Sequence, residues 1–333
     1  MTNKQINFKF IFAVFAYLFI CLFISHPVLA QQVSLSISPP IIQAVMKPGK
    51  SIMIAYTLKN SGDPVVVNSK VVSFEPIGNQ GKIKLDQDIL GPVRFGLDNA
   101  NLTLGTPFFM NTGLSQQLLL RIRVPDEAPE GDYYYSLLAI SQPPPVSEGI
   151  ATTRATATIA SNILITVTNS GIIDIKPKVT LFDTLSRFSL NLFGTPIKIF
   201  DSFDRVPVVL YLQNEGKNLI VPQGTISLRG NFGEQANFDI IPQNILSQSQ
   251  RLMQATPSAN IDYTGADRSP ASLVLSGFFI GKYNLSTTVN FGDNSPTVFA
   301  SASFIAFPFK IVAGIIFIVL ITYFLIKKLP EEK

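Results

Sequence analysis

The chain of 333 residues contains no tryptophan, one cysteine and one histidine. Cys21 and His26 both lie within the first 30 residues, which have the pattern of a removable signal. Without these two residues, a mature chain has no Ser-His-Asp or Cys-His catalytic group, no His or Cys zinc site, no haem ligand and no disulfide. We therefore expect no metal and no cofactor, and a fold that depends on its apolar core alone.

An excess of charge of one sign is also missing outside the two ends of the chain. Lys and Arg number 26 and Asp and Glu number 22. Setting aside the charged residues of the two ends leaves 20 of each sign in the middle; those set aside are Lys4, Lys9, Lys310, Lys327, Lys328, Glu331, Glu332 and Lys333. A neutral middle gives no support to nucleic-acid binding or to a basic lipid-binding face.

Residues 1–30 are predicted to be a secretory signal peptide. Lys4 and Lys9 precede an apolar run from Phe10 to Ile24, and SHPVLA ends in small residues at Ala30. This order is typical of a cleaved signal. An uncleaved N-terminal anchor is the alternative.

Residues 307–326 are predicted to form a single transmembrane helix. The segment is almost entirely apolar and has no polar face that a buried helix of a soluble protein would turn to water. Lys327 and Lys328 follow at once, which places the tail, residues 327–333, in the cytoplasm by the positive-inside rule. Residues 31–306 would then lie outside the cell membrane.

The middle of the chain is predicted to be all-β. Apolar alternation and β-branched runs recur between clusters of Gly, Pro, Asn and Asp, with no helical periodicity. The strands predicted in its first half are 33–38, 51–60, 65–74, 115–124, 133–141 and 156–168. Short strands at this spacing are typical of an Ig-like β-sandwich.

This pattern recurs, so we predict two tandem Ig-like sandwiches, residues 31–171 and 172–306. SIMIAYTLKNSG at 51–62 matches PVVLYLQNEG at 207–216, since both end in Leu-x-Asn-x-Gly. PEGDYYYSL at 129–137 likewise matches FIGKYNLST at 279–287. The boundary falls within TNSGIIDIKP, residues 168–177.

Three consecutive tyrosines are the most conspicuous candidate for a binding surface. Tyr133 aligns with Tyr283 in the repeat, which favours a structural tyrosine whose hydroxyl bonds the backbone. Strand alternation then turns Tyr133 and Tyr135 inward and Tyr134 outward. Tyr134 is the one residue that we predict as a ligand contact.

Acidic side chains offer two further alternatives. One is a calcium loop, although its spacing matches no EF-hand; it would use Asp86, Asp88, Asp98 and Asn99. The other is a pair of carboxylates for glycoside hydrolysis, and nothing in the sequence marks such a pair. We expect that the protein is not an enzyme.

The order of parts resembles the bacterial WxL-interacting cell-surface proteins. The similar segments are SISPPIIQAVMKPGKSIMIAYTLKNSG (36–62), RVPDEAPEGDYYYSLLAI (123–140) and RATATIASNILITVTNSG (154–171). The resemblance implies a membrane-anchored surface protein whose first Ig-like domain binds peptidoglycan and whose second binds a host surface. We therefore expect the partners to be peptidoglycan or another cell-wall polymer, partner surface proteins, or both. The alternative is a membrane-tethered chaperone or assembly factor, similar in architecture to pilus chaperones, that exchanges a strand with a secreted client.

Overall fold

The computed structural model describes residues 32–142, 156–186, 188–192, 195–256, 270–292 and 295–328. The predicted signal peptide, most of the proline-rich segment QPPPVSEG at 142–149 and the last residues of the predicted tail lie outside these ranges.

The first ten strands form one β-sandwich, which we call the first sandwich. One sheet has the order β1-β3-β8-β6, and the other has the order β2-β10-β9-β4-β5, with β7 also pairing with β4. The strands are β1 (Leu35–Ser38), β2 (Ile41–Met46), β3 (Ser51–Asn60), β4 (Val65–Ile77), β5 (Lys82–Leu85), β6 (Arg94–Leu97), β7 (Phe108–Met110), β8 (Ser115–Arg123), β9 (Gly131–Gln142) and β10 (Thr158–Val167).

The next ten strands form the second sandwich. Its sheets have the orders β11-β14-β17, with β18 also on β14, and β12-β13-β20-β19-β15-β16. The strands are β11 (Pro177–Thr184), β12 (Phe188–Leu192), β13 (Thr195–Asp201), β14 (Val206–Asn214), β15 (Gln223–Gly230), β16 (Gln235–Asp239), β17 (Gln250–Leu252), β18 (Leu273–Leu275), β19 (Gly281–Asn290) and β20 (Val298–Phe307). These two sandwiches confirm the predicted fold class.

The two sandwiches repeat one topology, as the recurring sequence pattern predicts. In the first, β10 pairs antiparallel with β9 and parallel with β2. In the second, β20 pairs antiparallel with β19 and parallel with β13. Residues 168–176 connect β10 to β11, and the exact domain limits stay a prediction.

Every second side chain along the strands points into the space between the two sheets of its sandwich and fills it. In β8, Leu118, Leu120 and Ile122 are fully buried, while the residues between them are partly or fully exposed. Burying each such side chain contributes about 2 kcal/mol to the stability of the fold. The second sandwich has its own core, in which Tyr283 stacks on Phe304 at a centroid distance of 5.2 Å.

The repeated Leu-x-Asn-x-Gly turn has a physical cause. The amides of Asn60 and Asn214 are fully buried, and each side-chain oxygen accepts the N–H of the following glycine, Gly62 or Gly216, at 3.0 Å. Each amide nitrogen also has three backbone carbonyl oxygens within 3.3 Å; these belong to Asp63, Met110 and Asn111 in the first sandwich and to Asn218, Ile245 and Leu246 in the second. One asparagine therefore joins two loops in each sandwich.

A single helix, α1 (Phe309–Lys328), ends the described chain. It is long and apolar enough to cross a membrane, and its side chains from Lys310 to Lys327 are exposed. It begins two residues after the predicted start because β20 continues through Phe307, which pairs with Asp201.

Candidate binding cleft between the sandwiches

The three tyrosines of β9 divide between the core and the contact with the second sandwich. Tyr135 is buried in the first core, and its hydroxyl donates to the carbonyl of Leu90 at 2.9 Å. Tyr133 packs against the same core and donates to the carbonyl of Pro129, four residues upstream. This is the backbone bond expected of a structural tyrosine. Its counterpart Tyr283 donates instead to a carboxylate oxygen of Glu234, at 3.1 Å.

Tyr134 points out of the first core, as predicted, but the second sandwich covers it. Its ring stacks on Phe74 with centroids 5.8 Å apart. Its hydroxyl donates to Asp132 at 2.9 Å and accepts the backbone N–H of Ser247 at 2.8 Å. Tyr134 therefore joins the two sandwiches, and its role as a ligand contact stays a prediction.

Asp132 is the centre of this contact. Its carboxylate accepts four hydrogen bonds, of which those from Tyr134 and Thr166 come from the first sandwich. The other two come from the Asn218 side chain at 2.8 Å and the Leu219 N–H at 2.5 Å, both in the second sandwich. Hydrogen bonds to a charged acceptor are stronger than bonds between neutral groups, so Asp132 makes a strong polar contact between the two sandwiches.

Burial and the neighbouring Asp132 charge raise the pKa of the Tyr134 hydroxyl well above its usual value. A phenol that keeps its proton remains a donor to the carboxylate at all physiological pH values. Burial likewise raises the pKa of Tyr135 to about 12.

Beside this contact lies an open cleft of about 760 Å³, which we call the apolar cleft. No charged side chain occurs among its described lining residues. The lining is mostly aliphatic and comes from β2 and β10, from the 171–175 connection and from loops of the second sandwich; its apolar members include Ala44, Val45, Leu164, Ile172, Ile173, Ile175, Leu219, Val221 and Phe291. On the rim, Val45 is 63% exposed and Ile172 is 77% exposed.

One wall of the apolar cleft is an open sheet edge. β2 pairs with β10 on one side, and on its other side it pairs with no strand in the part of the chain that the structure describes. The carbonyl of Pro40 accepts the N–H of Asn162 in β10, and that of Met46 accepts the N–H of Thr168, the residue after β10. By the alternation of a parallel ladder, residues 42 and 44 also face β10, while Ile41, Gln43 and Val45 direct their backbone N–H and C=O groups to the open edge.

Three of the four residues considered for calcium have side-chain partners. The exception is Asp86, one of whose carboxylate oxygens is buried without a hydrogen-bond partner in the described part of the chain. Asp98 accepts a hydrogen bond from the guanidinium of Arg121 at 2.8 Å, and Asn99 accepts the N–H of Leu119 at 2.7 Å. Asp88 lies 3.7 Å from the ammonium of Lys70. Within the described ranges, no three His, Cys, Asp or Glu side chains are grouped so that they could hold a metal ion.

Sequence reasoning missed both β2 and Asp132. β2 follows Pro39 and Pro40 directly, and that proline pair hides the short alternation in IIQAVM. Asp132 is a single acidic residue at the start of an otherwise apolar strand. A carboxylate in that position needs a partner, and this was the signal that could have identified it.

No family model and no curated protein matches the sequence. Solved structures with a similar fold include the E. coli chaperone DraB, with 15% identity over 80% of this chain and 98% of that chain at a TM-score of 0.34. The class 5 fimbriae chaperone CfaA is 11% identical over 81% of this chain and 99% of that chain, with a TM-score of 0.38. A protein of unknown function from Porphyromonas gingivalis W83 is 11% identical over 80% of this chain and 98% of that chain, with a TM-score of 0.29. Likeness at this level establishes no common function.

Proposed function

We propose that this protein is a non-enzymatic, membrane-anchored binding protein that holds an extended, apolar segment of another surface protein. The observation that carries the proposal is the junction of the apolar cleft with the open edge of β2. In this function the protein would act as a tethered chaperone or assembly factor for its partner.

The open edge of β2 suits the backbone of an extended polypeptide, and the aliphatic lining of the apolar cleft suits its side chains. The free N–H and C=O groups of Ile41, Gln43 and Val45 can form a β-ladder with an added strand. In such a strand alternate side chains point the same way, so every second side chain would enter the apolar cleft. An uncharged, aliphatic lining favours Val, Ile, Leu or Ala at those positions and disfavours charged ones.

The helix α1 adds to the function through effective concentration. A binding site held at the membrane meets other surface proteins at high local concentration, so a weak contact with a short segment suffices. Binding of cell-wall polymer, which the resemblance to WxL-interacting proteins implies, stays a separate prediction.

The test is a selection of random dodecapeptides displayed on phage against the full chain in lipid nanodiscs. We expect enriched peptides with alternating aliphatic residues and few charges. Val45→Lys, which places an ammonium on the cleft rim, should weaken their binding at least about tenfold, a change of about 1.4 kcal/mol.

Met53→Lys is the matched control, since Met53 is a 56% exposed apolar residue of β3 on the other sheet. The selected peptides should bind this variant as they bind the wild type. Peptides that bind Val45→Lys equally well would overturn the proposal. If no peptide is enriched but the same nanodiscs are retained on purified peptidoglycan sacculi, the proposal is overturned and binding of cell-wall polymer becomes the supported function.

A further inference from the structure

Five large apolar side chains are exposed at the end of the second sandwich from which α1 leaves. They are Phe203, Phe232, Phe278, Ile280 and Phe307, exposed by between 40% and 74%. We call them the apolar collar. Contiguous apolar surface of this kind marks an interaction site in soluble and membrane proteins alike.

Hydrogen bonds and ring contacts hold the collar together. The rings of Phe203 and Phe278 lie 5.1 Å apart, and the N–H of Phe279 donates to the carbonyl of Ser202 at 2.9 Å. Phe232, at the tip of the β15–β16 hairpin, lies against Gly281, the residue after Ile280. Phe307 pairs with Asp201 at the ends of β20 and β13.

The same turn that carries Phe203 fixes the start of α1. The Asp201 carboxylate is fully buried and accepts the backbone N–H of Lys310 at 3.0 Å. The ammonium of Lys310 lies 3.6 Å from Asp201 and also bonds Asp204. Burial alone would raise the pKa of the Asp201 carboxyl, but the N–H bonds from Lys310 and Phe203 and the Lys310 charge outweigh it and lower that pKa. The carboxylate is therefore ionised at neutral pH.

Because Asp201 and Asp204 hold Lys310 at the start of α1, the collar cannot move far from the membrane once α1 is inserted. Phe203 is two residues from Asp201 and Phe307 is two residues from Phe309, and two residues span at most about 7 Å. The Lys310 ammonium, held by Asp201 and Asp204, keeps the first turn of the helix at the level of the headgroups while the helix continues into the hydrocarbon. Phe and Leu side chains are typical of apolar surfaces that lie in the boundary between headgroups and acyl chains.

We propose that the apolar collar inserts into the interfacial layer of the lipid bilayer on the side of the sandwiches. The second sandwich then rests on the lipid surface and does not swing on a flexible stalk. The occupant of this exposed patch is lipid, because the helix that leaves from its centre is the segment that enters the membrane.

The sequence has no tryptophan, so a single introduced one reports its own surroundings. We would replace Phe203, Phe232 or Phe278 with Trp in the full chain, reconstituted in phosphatidylcholine vesicles with or without brominated acyl chains. Phe203→Trp, Phe232→Trp and Phe278→Trp should each show blue-shifted emission and strong quenching by the brominated lipid.

Two controls bracket this result. Phe299→Trp replaces a 70% exposed aromatic residue at the other end of β20, about 26 Å from Phe307 at roughly 3.3 Å per residue, and should emit as in water without quenching. Ile318→Trp, in the middle of α1, should be quenched fully. The proposal is overturned if the collar tryptophans behave like Phe299→Trp while Ile318→Trp is quenched. It is equally overturned if Ile318→Trp is not quenched, because the helix then lies outside the lipid.

Discussion

Asn60 and Asn214 have the same structural role, one in each sandwich. Each stands at the end of an inner strand of the smaller sheet of its sandwich, where two loops must be joined in a place that water does not reach. A buried amide can bond both an N–H and several carbonyls, which no apolar side chain can do. The residue is therefore determined by the hydrogen-bonding groups around it.

Replacing either asparagine with alanine should destabilise its own sandwich by about 3 kcal/mol, because several buried backbone groups lose their partner. We expect Asn60→Ala to lower the unfolding midpoint of the first sandwich and Asn214→Ala that of the second. The measurement is urea unfolding of the full chain in detergent micelles, followed by circular dichroism.

Asn101→Ala is the control, since Asn101 is exposed and its loss should change stability by less than about 0.5 kcal/mol. Equal small effects at all three positions would contradict the role assigned to the buried amides.

At the scale of elements, β2 determines what the first sandwich offers to a partner. It leaves the sheet of β1 at Pro39 and Pro40 and pairs parallel with β10. Ile42, Ala44 and Met46 pack toward the core of the sandwich. Gln43 and Val45, together with the exposed part of Ala44, line the apolar cleft. A strand so short depends on its one ladder of hydrogen bonds, the ladder with β10. Proline has no N–H group, so it should be costly at a residue that faces β10 and tolerated at a residue that faces the open edge.

Gln43→Pro should leave the stability nearly unchanged, because the N–H of residue 43 faces the open edge and prolines are tolerated there. Ala44→Pro should destabilise the first sandwich by about 1 to 3 kcal/mol, because it removes a donor to β10. Both variants are compared by urea unfolding. If strand addition is the binding mode, Gln43→Pro also abolishes peptide capture, whereas Gln43→Ala retains it.

At the scale of the whole molecule, polar contacts join the two sandwiches. Asp132 joins them, and the N–H of Leu252 adds a bond to the carbonyl of Asn79 at 2.7 Å. The collar and the apolar cleft lie toward opposite ends of β19, since Ile280 precedes the strand and Phe291 follows it. The ten residues of β19, at about 3.3 Å each, separate the collar from the cleft by about 30 Å.

Asp132→Ala should loosen this arrangement without unfolding either sandwich, because it removes two bonds between them and leaves their cores intact. Spin labels at Met53 and Leu181, one in each sandwich, should show a broader distance distribution by pulsed electron spin resonance in a Cys21→Ser background. Asp126→Ala, at an exposed position of a loop, should keep the wild-type distribution. A narrow distribution in both variants would mean that other contacts fix the angle.

The sequence alone determined the all-β class, the borders of most long strands, the repeat of the two sandwiches and the apolar C-terminal helix. Alternation and turn chemistry are local, so Leu118, Leu120 and Ile122 or the Asn60 turn can be read without knowing the rest of the fold. Only the tertiary structure decided that Tyr134 is covered, that Asp132 joins the sandwiches and that the edge of β2 opens on a cleft. These features depend on how residues more than 80 positions apart meet, as Asp132 and Leu219 do, and no local pattern encodes the angle between two sandwiches.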